Sequence, residues 1–197
     1  MDGKRRFTER VEINGQECEF LVNPSSLTLE FQDKLWELYR ESLSIEGSVQ
    51  EQVCYDEESF GEALFCDDYH VVVMALEGEP MGLIMGTNDV GRMRDAYINP
   101  SFMLKAFPGD AEQGRVMYLT NLLVSPRLRH LGFIRPFIDV CVRALKDDRY
   151  LLGFDVCDER LFMVDFLEAA LREAGYPVKR ELLGRQHYYV LRPVREG

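Results

Sequence analysis

Hydrophobic positions along the chain change their period several times, and each change marks an element. Phe7 to Ile13 and Glu17 to Val22 read as strands joined by Asn14-Gly15, a strong signal for a type I′ hairpin turn. From Ser26 to Leu43 the period lengthens, with Leu27, Phe31, Leu35, Leu38 and Tyr39 at helical spacing and Pro24 with Ser25 or Ser26 at the start. A short helix is predicted over Glu57 to Phe65. The runs Tyr69 to Leu76 and Pro80 to Gly86 flank Glu77-Gly78-Glu79 and predict an antiparallel hairpin. Thr87 to Gly114 keeps no period and reads as an insertion or mobile loop; unstructured loops of that length are uncommon and often functional.

A strongly apolar strand, Val116 to Val124, comes next, then a loop over Ser125 to Gly132. The helix predicted over Phe133 to Leu145 puts Ile134, Phe137, Ile138, Cys141, Val142 and Leu145 on one face. A strand over Tyr150 to Val156 and a helix over Glu159 to Ala174 follow, the helix closed by Gly175. Two short strands, Val178 to Leu182 and His187 to Leu191, complete the pattern. The order ββαα, ββ, βαβα, ββ predicts an α/β fold with a mixed sheet and helices. A chain of 197 residues fits one domain, 1–197, with an N-terminal hairpin at 7–22 and an insertion at 87–114.

Composition narrows the function classes. No apolar run is long enough to span a membrane, and Met1 to Phe7 lacks the apolar stretch of a secretory leader. Five cysteines without CxxC spacing argue for buried reduced thiols, and so for a cytoplasmic protein. The three histidines, His70, His130 and His187, are too far apart for a metal motif, so no metal is expected. A net charge of -11 disfavours nucleic acid as a partner unless basic residues concentrate locally. One such window exists: Ser125 to Ile138 holds Arg127, Arg129 and Arg135 and no Asp or Glu.

That window lies where the Val116 strand passes into the Phe133 helix. A helix N-terminus presents unpaired N–H groups and a partial positive charge, and glycine lets a backbone approach a phosphate closely. Pro136 is tolerated in the first helical turn. The recipe suits a pyrophosphate, although an ordinary strand-loop-helix connection has the same pattern.

The run Val124-Ser125-Pro126-x-x-Arg129-x-x-Gly132 resembles the acyl-CoA signature of the GNAT superfamily of N-acetyltransferases, V-x-P-x-x-R-x-x-G-x-G/A. The resemblance covers roughly Tyr69 to Leu191 in element order, and Ala174-Gly175-Tyr176 matches the end of the family's later helix. It implies a mostly antiparallel central sheet flanked by helices, with a parallel, splayed strand pair at the acyl-CoA site. It further implies that the amides of Leu131, Gly132, Phe133 and Ile134 hold the pyrophosphate, with Arg129 opening the loop and His130 inside it. The backbone of Leu122, Leu123 and Val124 would bond the pantetheine arm, with the oxyanion at an amide near Leu122 or Leu123. Three positions depart from the family: Ile134 replaces Gly or Ala, Leu171 replaces a general-acid tyrosine, and Val164 replaces an asparagine.

Acyl transfer to an amine needs a place for the amine proton, an oxyanion donor and a leaving thiolate. The strand itself carries no carboxylate. A strict two-residue period puts Tyr118, Thr120, Leu122 and Val124 on one face. Thr120 and Asn121 are candidates for orienting a water, and Tyr188, Tyr189 or Tyr118 for supplying a proton. Packing explains each of these equally well, as a solvated strand end explains Asp155 and Asp158. The implied function is transfer of an acyl group, acetyl in the simplest case, from acetyl-CoA or another acyl-CoA to an unidentified amine acceptor. The alternatives are a donor carried on acyl-carrier protein, or a catalytically silent module of the same fold. The oligomeric state, a homodimer included, is not fixed by the sequence.

Overall fold

The computed structural model describes residues 4–44, 55–90, 101–145, 150–156, 161–176 and 178–184. Its centre is a six-stranded sheet in the order β1-β2-β3-β4-β5-β6: Phe7–Ile13, Gln16–Val22, Tyr69–Leu76, Glu79–Thr87, Val116–Val124 and Leu151–Gly153. Every neighbouring pair is antiparallel except β5 and β6, which are parallel. β1 alternates half-buried and exposed side chains as an edge strand does, whereas β3 is buried along most of its length because helices cover both faces.

Helices α1 (Leu29–Ser44) and α2 (Glu57–Phe65) cover one face. There Leu35, Tyr39, Phe60 and Leu64 pack on Val71, Val73, Leu83 and Met85. Helices α5 (Ile134–Leu145) and α6 (Phe162–Glu173) cover the other, where Phe137, Ile138 and Cys141 meet Phe20, Val72, Met74 and Ile84. Val71 and Val73 therefore serve one layer and Val72 and Met74 the other, as the strand period requires.

Several boundaries differ from those expected. α1 starts at Leu29, where the Thr28 hydroxyl accepts from the Phe31 N–H at 3.3 Å; Leu27 packs against the same cluster from outside the helix. β6 is confined to Leu151–Gly153, and Val178 to Leu182 is not a strand. That segment is held by side chains instead: Arg172 donates to the Val178 carbonyl, and Arg180 pairs with Asp165. The strand expected over His187 to Leu191 lies outside the described residues. Within the segment read as a loop, Ser101–Ala106 (α3) and Pro108–Glu112 (α4) are short helices. Among the described residues, no helix is long and apolar enough to cross a membrane.

Candidate active site

Strand β5 sets the geometry of the site. It pairs with β4 as Tyr118↔Thr87, Leu119↔Gly86, then Asn121↔Met85, leaving Thr120 as the extra residue of a β-bulge. A bulge bends its strand and increases the local twist. Pairing with β6 runs only from Val116↔Leu151 to Tyr118↔Gly153, so the two strands part where the bulge begins. From Leu119 onward, β5 has a free edge on that side among the described residues.

The bulge also decides where side chains point. Leu119 lies with Leu122 and Val124 on the α5 layer, whereas Tyr118 joins Val116 and Met103 on the opposite face and Leu123 packs with α1. The expected single face of Tyr118, Thr120, Leu122 and Val124 is therefore split, because one inserted residue reverses the alternation beyond it. Backbone direction follows the same logic. The Ser125 N–H donates to the Met81 carbonyl at 2.8 Å, so alternation turns Leu123 and Asn121 toward β4. The N–H and C=O groups of Leu122 and Val124 face the gap.

The loop after β5 is built from short-range bonds. The Ser125 side chain accepts from the Arg127 N–H, Pro126 opens a 3₁₀ turn to Leu128, and the Leu131 N–H donates to the Leu128 carbonyl at 3.2 Å. Leu128 and Phe133 are buried and anchor the two ends. His130 and Gly132 take left-handed φ values of 65° and 81°. A Cβ on Gly132 would meet nothing within 4 Å, so open space lies directly over this backbone. Beyond it, α5 begins with the Phe133 carbonyl accepting from Phe137. The first amides of a helix have no intrahelical acceptor. Here those are Ile134 and Arg135, since Pro136 has no N–H. The space, the amides and the acid-free window fit a pyrophosphate.

Across the gap, on the face away from α5, the Tyr118 hydroxyl donates to the Asp155 carboxylate. The pair links the last paired residue of β5 to a residue two positions beyond the end of β6. Helix α3 approaches the same face, with the Met103 side chain occupying the space that a Cβ on Gly153 would fill. Only glycine permits that approach without moving the methionine.

No protein-family model and no curated protein matches the sequence. Solved structures match the architecture. An aminoglycoside acetyltransferase from an uncultured soil metagenomic sample, in complex with trehalose, aligns over 92% of this chain and 100% of its own, at 14% identity and a TM-score of 0.53. The aminoglycoside N-acetyltransferase AAC(6')-Iy in complex with CoA aligns over 90% and 99%, at 11% identity and a TM-score of 0.51. FeeM, an N-acyl amino acid synthase from uncultured soil microbes, aligns over 76% and 77%, at 10% identity and a TM-score of 0.52. The chain has the GNAT fold.

Within this GNAT fold the expected site residues separate into groups. Gly132, Phe133 and Ile134 stand at the start of α5, with Arg129 at the end of the 3₁₀ turn and His130 exposed beside it. Ile134 packs its side chain toward the core, so its bulk does not fill the loop. The Leu131 amide is taken up by Leu128, and its carbonyl accepts from the Asn14 side chain at 2.6 Å, which removes Leu131 from the cradle. Leu123 is likewise turned away, its backbone toward β4 and its side chain toward α1. Thr120 and Asn121 bond to each other at 3.2 Å, and Thr120 also donates to the Met85 carbonyl, so both hold the bulge together. Tyr188, Tyr189 and Asp158 lie outside the described residues.

Three features of this region were not singled out by the sequence: the Arg135 amide at the helix start, Asp155 as the partner of Tyr118, and Asn14 as a tether of the loop. Only Arg135 left a local signal, the proline after it. Leu171 is buried on α6, and its carbonyl accepts from the Tyr176 N–H in the helix's glycine-closed end. Cys141 is buried and desolvation pushes its thiol pKa up, as for an inert structural thiol.

Proposed function

We propose that this protein is an acyl-CoA-dependent N-acyltransferase acting by direct attack of an amine on the thioester. The observation that carries the reading is the open amide cradle at Gly132 beside a splayed strand pair, with the Leu122 N–H facing the gap. The pyrophosphate rests on the amides of Gly132, Phe133, Ile134 and Arg135, and Arg129 adds charge at the loop's entrance. The pantetheine arm runs along the free edge of β5, bonded to the outward groups of Leu122 and Val124.

The thioester carbonyl then meets the Leu122 N–H, which takes the developing oxyanion. The amine enters from the face of Tyr118 and α3. As the C–N bond forms, the amine proton passes to the Asp155 carboxylate, which Tyr118 holds in place. The C–S bond breaks to release the CoA thiolate. With a reference thiol pKa of about 8.5, that group leaves without a protein acid, so Leu171 is no obstacle. Acceptors among the structural neighbours include aminoglycosides, which are polyamines; an amine acceptor of this chain suits its acidic composition.

Calorimetry with acetyl-CoA tests the reading through Gly132→Val. A side chain there is strained at φ 81° and projects into the phosphate space. Affinity is expected to fall tenfold or more, about 1.4 kcal/mol per decade, with the fold retained. Binding equal to wild type would remove the loop from the site, and with it the proposed donor.

A further inference from the structure

Between the sheet and helices α5 and α6 lies a cavity of about 70 Å³. Leu119 and Leu122 from β5, Leu152 and Phe154 from β6, Ala144 from α5 and Leu171 from α6 form much of its wall. The few polar groups that reach it are committed elsewhere or uncharged. Asn23 donates to the Arg5 carbonyl and accepts from the Val71 N–H, and the Tyr176 hydroxyl donates to the Tyr150 carbonyl. His70 is drawn down to about 4, chiefly by burial and then by Lys4, and is neutral at ordinary pH. A cavity without partners for water stays dry and suits an apolar occupant.

Its position identifies that occupant. Leu119 and Leu122 on one strand and Phe154 on the other are the two lips of the gap where β5 and β6 part. Leu122 thus lines the cavity with its side chain while its N–H faces the gap, so the cavity adjoins the point where a thioester carbonyl would be held. An acetyl group would send a single methyl into it. At ~30 Å³ for a water-sized group, the space takes roughly two or three such groups.

We infer that the donor's acyl chain is longer than acetyl, roughly three or four carbons, and is seated in this cavity. The inference rests on the acyltransferase reading but is separable from it. Each added methylene removed from water gains about fourfold in affinity while room remains. The cavity fixes where the gain stops.

Calorimetry of the full chain with CoA and with acetyl-, propionyl-, butyryl- and hexanoyl-CoA tests this without an acceptor. Affinity is expected to rise about fourfold per carbon from acetyl to butyryl and to stop rising by hexanoyl. Ala144→Leu fills the space from α5, and in that variant acetyl- and butyryl-CoA should bind alike. If Ala144→Leu does not fold, Val142→Ile narrows the same wall and should halve the gain or more. Equal affinity for acetyl- and butyryl-CoA in the wild type would overturn the acyl pocket and leave the donor loop standing. An undiminished chain-length gain in a folded filling variant would overturn it as well. Failure of every CoA species to bind would remove the acyltransferase reading, and this inference with it.

Discussion

Asp155 is an exposed carboxylate near a strand end, and most such groups only solvate a surface. Its setting here comes from the parallel register Tyr118↔Gly153, which places the Tyr118 hydroxyl against it across a widening gap. Neither residue announces this in the sequence, because the contact depends on a pairing between strands separated by a helix. Gly132 is the opposite case: the left-handed φ it adopts and the helix start after it follow from neighbouring residues, so the loop's shape was readable from a local motif. Asp155→Asn keeps the size of the side chain and an acceptor for Tyr118 while removing the base. With any amine the protein acylates, kcat is expected to fall about a hundredfold, the lower range for a positioned acid or base. CoA affinity should stay within about twofold, since the carboxylate acts on the amine in the transition state. A matching loss in CoA binding would make Asp155 structural; unchanged kcat would assign the proton to water.

At the scale of elements, what was legible was what the local pattern controls. The hairpin around Asn14-Gly15, strands β3 and β5 and helix α2 have the extents their periodicity predicts, or differ by a residue. The bulge was not legible. A two-residue period counts straight through Thr120, and only the pairing with β4 shows that the count breaks there. Because of that single residue, Leu122 and Val124 join the α5 layer while Tyr118 joins Met103 on the opposite face. The β1–β2 turn holds a second hidden link. Asn14 occupies a left-handed position that the turn requires, φ 54°, and from it reaches the Leu131 carbonyl in the loop after β5. Asn14→Gly preserves the turn, because glycine accepts the same backbone, and deletes only the tether. Acetyl-CoA affinity is expected to weaken about threefold to tenfold, the usual net value of one hydrogen bond. The melting temperature should move by no more than a few degrees. If affinity is unaffected, the loop is rigid through Leu128 and Phe133 alone.

Across the whole molecule, the sheet separates the two halves of the proposed chemistry. The α5–α6 layer carries the cradle and the apolar cavity, and the α1–α4 side carries Tyr118, Asp155 and the short helices before β5. Those short helices, α3 and α4, are well below the length at which an isolated helix holds itself together. They depend on Met103, Leu104 and Ala111 packing against Val116, Tyr118 and Leu151, residues at the root of the splay. Segments attached by so few apolar contacts open at low free-energy cost. A donor seated between β5 and β6 fixes the surface on which they rest. Amide exchange in Ser101 to Gly114 is therefore expected to be fast in the free protein and to slow when acyl-CoA is added, although the donor itself lies on the other side of the sheet. Slowing confined to Ser125 to Arg135 would mean that the two sides are not coupled through the strand pair. Strong protection in both states would make α3 and α4 fixed scaffold, leaving the approach to Tyr118 and Asp155 already formed before any ligand arrives.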